Sequence, residues 1–201
     1  MILFLKGTII GFSIAAPVGP IGLLCIQKTL KYGKLNGFIT GTGAASADAA
    51  YGLIAALGLS AITNFMIGQQ NWLSLFGGLF LCYLGGKIIG QKSATNSLES
   101  SESSLLKSYI TTFLLTITNP MTILSFIAVF ASINNTSQHN SILNNILMVS
   151  GVFSGSLMWW FILSNFANLF KDKIDLKWIN KISGIVIMLF GFVAILKLLI
   201  K

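Results

Sequence analysis

Ala16-Pro17-Val18-Gly19-Pro20-Ile21-Gly22 lies inside the first apolar stretch of the chain, about residues 7–27. Proline has no amide hydrogen and clashes with the carbonyl four residues earlier, so two prolines around a glycine break a helix there. In water such a break is a loop. In lipid the freed backbone groups are tolerated only against protein or a water-filled cavity. The surrounding composition decides which solvent applies. Of 201 residues, 54% are hydrophobic and 9% are charged, and mean hydropathy is +0.82. Soluble domains carry about 25% charged residues. Eighteen charges do not cover a soluble protein of this length, so soluble enzymes, transcription factors and disordered chains are excluded.

Working outward, six apolar segments follow, at about 7–27, 38–59, 71–90, 108–133, 144–168 and 179–200. Each suits a helix crossing about 30 Å of hydrocarbon. Backbone groups in lipid must pair within their own segment, which favours helices, and the runs are too long and too uniform for barrel strands. The first segment is read as a span and not as a cleaved leader, because no basic start precedes it and Pro17 follows the small pair Ala15-Ala16.

The formal charge of +8 comes from 13 Lys and no Arg. No basic run is interleaved with stacking aromatics, which argues against a nucleic-acid partner. The lysines instead orient the chain. Lys28, Lys31 and Lys34 lie in the first connection. Lys87, Lys92 and Lys107 lie in the third, and Lys171, Lys173, Lys177 and Lys181 in the fifth. The second and fourth connections carry none. The positive-inside rule places the odd connections in the cytoplasm and both termini on the periplasmic side.

The third connection, Gln91 to Ser104, is rich in Ser, Asn and Glu and reads as a cytoplasmic linker. It divides a single membrane domain, 1–201, into a first three-helix repeat at 1–90, a linker at 91–107 and a second repeat at 108–201. Three spans per half insert in opposite senses, the inverted-repeat plan of many secondary transporters. The halves share a weak likeness: Lys6-Gly7-Thr8-Ile9-Ile10-Gly11-Phe12 aligns with Lys107-Ser108-Tyr109-Ile110-Thr111-Thr112-Phe113. A one-residue gap then sets Gly19-Pro20 against Asn119-Pro120. The expected fold is an all-α membrane protein, with six transmembrane helices as two inverted repeats and helices 1 and 4 broken at their proline motifs.

Interrupted helices at matching places in two halves point to a transport site. The candidate helix-break residues are Pro17, Gly19, Pro20 and Pro120, and Asn119 adds an amide that both donates and accepts. Asp48 is the only acidic residue in the middle of a span. It sits about 15 Å deep, where an acid costs roughly 2.5–3.5 kcal/mol on insertion scales. It is expected to face the bundle interior, among Ala44, Ala45, Tyr51 and Gly52 one turn away, as a carrier of a proton or a partner for a cationic group. Tyr51 adds a hydroxyl. Packing kinks and a structural acid are the plainer readings of the same residues.

Small-residue stripes at four-residue spacing, Gly37/Gly41/Ala45/Ala49, Gly78/Cys82/Gly86/Gly90 and Gly151/Gly155, suit close helix packing. Packing within one chain is the simpler reading and a homodimer seam the other. The single histidine, His139, offers no metal cluster, and no cofactor motif is present: Gly86-Lys87 lacks the following Ser or Thr of a phosphate loop. Trp159 and Trp160 lie deep in the fifth segment, as packing or as cavity lining.

With these residues in view, the chain resembles the LysE-type (lysine exporter) family of amino-acid export permeases. The likeness rests on Ala16-Pro17-Val18-Gly19-Pro20-Ile21-Gly22, on Gly41-Thr42-Gly43-Ala44-Ala45-Ser46-Ala47-Asp48 and on Asn119-Pro120. It implies a six-span exporter of the bacterial cytoplasmic membrane that expels an amino acid or similar small solute by alternating access, driven by the proton motive force. Many members of that family place a polar residue after the first Gly-Pro, where this chain has Ile21. Two other functions compete. A thiol–disulfide electron carrier would need paired cysteines in equivalent places, but Cys25 aligns near Ser125 and Cys82 falls in a different span. A non-transporting assembly subunit would need neither a buried acid nor matched breaks.

Overall fold

A computed structural model describes residues 1–56, 68–90, 104–119, 122, 125, 126, 142–170 and 176–199. Residues 91–103 of the proposed linker, Pro120 and most of the fourth segment beyond it lie outside the described residues. Among the described residues the chain is all helix: α1 Ile2–Ala15, α2 Pro20–Tyr32, α3 Lys34–Ala56, α4 Gln70–Gly90, α5 Leu105–Ile117, α6 Ile142–Leu169 and α7 Leu176–Leu199. Asn71–Gly90 and Ile142–Leu169 are each long and apolar enough to cross a bilayer, and α1 with α2 meets the same measure as a pair bent by 83°. Apolar side chains line the outside, among them Trp72, Phe76 and Tyr83 on α4 and Phe161 and Phe166 on α6. A surface of this kind suits lipid and not water.

The first segment stops at Ala15 and restarts at Pro20. Proline is well placed at the first position of α2, because an amide there has no helical acceptor in any case. α2 ends at Gly33, whose φ of +91° is favourable only without a Cβ. That turn folds α3 back along α2, where the Cys25 thiol donates to the Gly37 carbonyl at 3.2 Å.

Glycines set the helix pairings. Gly7 and Gly11 of α1 meet the backbone of α6 around Met148–Val152, while Gly151 and Gly155 of α6 meet α1 from Phe4 to Phe12. Both registers climb together, so α1 and α6 run parallel. In α4 and α7 the order reverses: Gly78 meets Gly191 and Gly85 meets Gly184, so these helices are antiparallel. The seam takes Gly78, Cys82 and Gly85, with Gly78 and Gly85 seven residues apart, and leaves out the rest of the four-residue stripe. A Cβ on Gly86 would meet only the tip of Met188 at 3.8 Å, and one on Gly90 nothing within 4 Å. Two turns of helix return nearly to the same face after seven residues, which keeps one seam under one partner. α3 lies between α5 and α6 and carries the centre of the bundle.

Candidate functional site

α3 can touch three helices because its middle, Gly41 to Ala50, contains no bulky side chain. Gly41 lies under the Trp160 ring of α6, and Gly43 lies against the Tyr109 carbonyl and Phe113 amide of α5. Asp48 sits in this small-residue stretch and is 3% exposed. The carboxylate is not bare. Ser156 of α6 donates its hydroxyl to Asp48 Oδ2 at 2.7 Å, and Trp160 Nε1 donates to Ser156 Oγ at 3.1 Å. An indole only donates and a serine has one hydrogen. The indole therefore fills an acceptor position on Ser156 and leaves the serine hydrogen for Asp48, which fixes the direction of the whole chain of bonds.

Tyr51, one turn further along α3, is buried, and its hydroxyl donates to the Ile117 carbonyl. α5 ends at Ile117, and the carbonyls of a last helical turn lack intrahelical donors. The Asn119 amide serves the Thr116 carbonyl at 3.1 Å, and Tyr51 caps the next one. Tyr51 thus ties α3 to the end of α5 and packs against Phe126, with ring centroids 5.8 Å apart and the planes tilted by 32°. Asn119 is half-buried, and its carbonyl accepts the Thr122 amide at 3.1 Å. Pro120 falls outside the described residues.

At the other break, Pro17 and Val18 are exposed, and a Cβ on Gly19 would meet nothing within 4 Å. Gly19 has φ −101°, ψ −160°, an extended conformation open to any residue. Its lack of a side chain is needed neither for backbone strain nor for packing, so it leaves open space at the start of α2. The amides of Ile21 and Gly22 begin that helix without intrahelical acceptors, and the helix dipole makes this end attractive to an anion. Ala15, the last residue of α1, packs in one cluster with Cys25, Ala44, Ala45, Trp160 and Leu163. The break at α1/α2 and the Asp48 region of α3 are therefore joined through the Trp160 side of α6.

Sequence reasoning singled out Asp48 but not its partner. Ser156 is one of many serines and lies 108 positions away. Its place beside Gly155, in the close-packed part of the fifth segment, was the only available hint. A second buried polar pair, Gln27 Nε2 donating to Asn180 Oδ1 at 3.2 Å between α2 and α7, also went unread. Of the adjacent tryptophans, Trp160 belongs to the Asp48 network, while Trp159 meets Phe12 edge-on at 5.5 Å. Among the described residues no group of three metal-ligating side chains occurs. The two thiols serve separate interfaces, Cys25 at α2/α3 and Cys82 bonding the Met188 carbonyl at 3.7 Å between α4 and α7.

Apolar outer faces, helices closely packed through glycine and a buried carboxylate with dedicated partners define a multi-pass helical membrane protein with a polar interior. The chain belongs to the LysE type translocator family, whose sequence profile matches residues 12–198. Members of this family are transport proteins. The chain is 32% identical to a Bacillus subtilis (strain 168) protein described as "Putative amino acid efflux protein YcgF", over 96% of this chain and 94% of that one. It is 27% identical to the "Leucine efflux protein" of Enterobacter sp. (strain 638), over 65% of this chain and 63% of that one. No solved structure matches the chain significantly.

Proposed function

We propose that this translocator exports an amino acid or a closely related small solute across the bacterial cytoplasmic membrane, by alternating access of two inverted repeats coupled to proton entry. The observation that carries the reading is Asp48, a carboxylate buried at mid-span between α3 and α6 and held by Ser156. The efflux proteins it resembles supply the substrate class. In the proposed cycle the free amides at the start of α2 receive the substrate carboxylate. Asp48 receives the ammonium group or the counter-moving proton, and the Tyr51-capped end of α5 frames the opposite side with Asn119.

The inverted repeat is supported by packing as well as by topology. Gly155 of α6 sits against the Thr8 carbonyl and the Phe12 amide, and Gly43 of α3 sits against the Tyr109 carbonyl and the Phe113 amide. Thr8 aligns with Tyr109 and Phe12 with Phe113 in the two half-sequences, so two glycines 112 positions apart, one in each half, make equivalent contacts with the opposite half. Parallel α1/α6 and antiparallel α4/α7 also agree with six alternating crossings. On the cytoplasmic side we place Lys28, which lies in the field of Lys31, Lys87 and Lys107 from three separate elements. Both termini then face the periplasm.

The test is solute counterflow with purified protein in proteoliposomes, over a panel of amino acids and with or without a pH gradient. Saturable exchange of at least one amino acid, accelerated by the gradient, is expected. Exchange of none of them by folded protein overturns the reading and favours an assembly role.

A further inference from the structure

The two neighbouring tryptophans of α6 differ in one respect that packing does not explain. The Trp160 indole N–H has a partner, Ser156. The Trp159 Nε1 is buried and has no hydrogen-bond partner among the described residues. Its ring is otherwise well held, edge-on to Phe12 of α1 at 5.5 Å and 85°, and packed against the cluster that contains Ala15 at the end of α1. Buried indole N–H groups ordinarily find an acceptor, and water is scarce at this depth in a bilayer. The N–H is also a donor only, so whatever satisfies it must bring an acceptor oxygen or nitrogen. Trp159 lies three residues from Ser156, which puts it one turn of α6 from the residue that binds Asp48.

We infer that Trp159 is a substrate-binding residue of the transport site: its indole N–H takes one oxygen of the carboxylate of the exported amino acid, beside the break between α1 and α2. This rests on the amino-acid exporter reading above. It adds a fixed, directional donor to the backbone amides of α2. It also gives the site a means of preferring acids over neutral analogues, because a hydrogen bond to a charged oxygen is roughly twice as strong as one to a neutral carbonyl. The packed ring makes the donor rigid, so little side-chain freedom is lost when the substrate arrives.

The experiment compares wild type, Trp159→Phe and a variant carrying β-(3-benzothienyl)alanine at position 159, which replaces the N–H by sulfur with the ring outline kept. The measurement is counterflow KM and Vmax for an exported amino acid and for its carboxamide. Both variants are expected to raise KM for the acid about tenfold, the loss of one charge-assisted hydrogen bond, with Vmax within about twofold. The preference for acid over carboxamide should shrink by a similar factor. An unchanged KM and an unchanged preference in folded variants overturn the inference while leaving the exporter reading intact. An equal fall in Vmax for both solutes without a KM change also overturns it, since that is the mark of a packing role or of a cap on the α1 end. If wild type exchanges no amino acid, both readings fall together.

Discussion

Asp48 and Ser156 share one hydrogen bond, yet the structure predicts opposite consequences for replacing each. Ser156→Ala removes two bonds at once, the 2.7 Å bond to Asp48 and the 3.1 Å bond from Trp160. It leaves a carboxylate oxygen and an indole N–H buried without partners. Each such group costs about 1–3 kcal/mol, so the variant should lose about 3 kcal/mol. At roughly 2–4 °C per kcal/mol for a chain of this size, Tm should fall by about 10 °C. Asp48→Asn keeps the side-chain shape, and its amide oxygen still accepts the serine hydrogen. One charge-assisted bond becomes a neutral one, for about 1 kcal/mol. Transport should rank the other way. In the proposed cycle Asp48 exchanges the proton or faces the ammonium group, so Asp48→Asn should abolish coupled efflux. Ser156→Ala should retain measurable efflux from the protein that remains folded. Thermal unfolding in detergent and efflux in inverted vesicles read the two rankings. Coupled efflux at wild-type rate in Asp48→Asn, or a stability loss in Ser156→Ala smaller than in Asp48→Asn, would refute the reasoning.

Gly155→Ala should part α1 from α6. The new Cβ would lie 2.8 Å from the Thr8 carbonyl carbon and 2.9 Å from the Phe12 nitrogen, both backbone atoms unable to move alone. Such overpacking costs about 1–3 kcal/mol, whereas Gly90→Ala, which meets nothing within 4 Å, should unfold like wild type. Gly19→Ala should also be neutral in unfolding, because its backbone is extended and its surroundings open. If substrate occupies that space, the same methyl group should still raise the counterflow KM, and an unchanged KM would move the substrate away from the α2 start. Tyr51→Phe leaves the Ile117 carbonyl uncapped and should cost about 1–3 kcal/mol in the same unfolding assay. A variant with wild-type stability would mean that the α5 end is capped by another group.

The legible part of this protein is local or compositional. Too few charges for a soluble surface define its solvent. Pro17 and Pro20 interrupt the first apolar segment through a missing amide hydrogen and a steric clash, both of which act within four residues of the proline. Asp48 is conspicuous because a lone acid in an apolar run stands out in any alignment of hydropathy with depth. What these residues do to one another is not local. Ser156 as the partner of Asp48, Tyr51 as the cap of α5, Gly85 rather than Gly86 in the α4/α7 seam, and an unpaired N–H on Trp159 beside a paired one on Trp160 all depend on how each helix is rotated and how deep it sits. One residue along a helix turns a side chain by about 100°. Neighbours such as Gly85 and Gly86, or Trp159 and Trp160, are therefore nearly equivalent as letters but face different partners once the helices have packed. The amino-acid order thus determined the solvent, the first interruption and the buried charge, while only the packed bundle decided which hydrogen bonds that charge and its surroundings make.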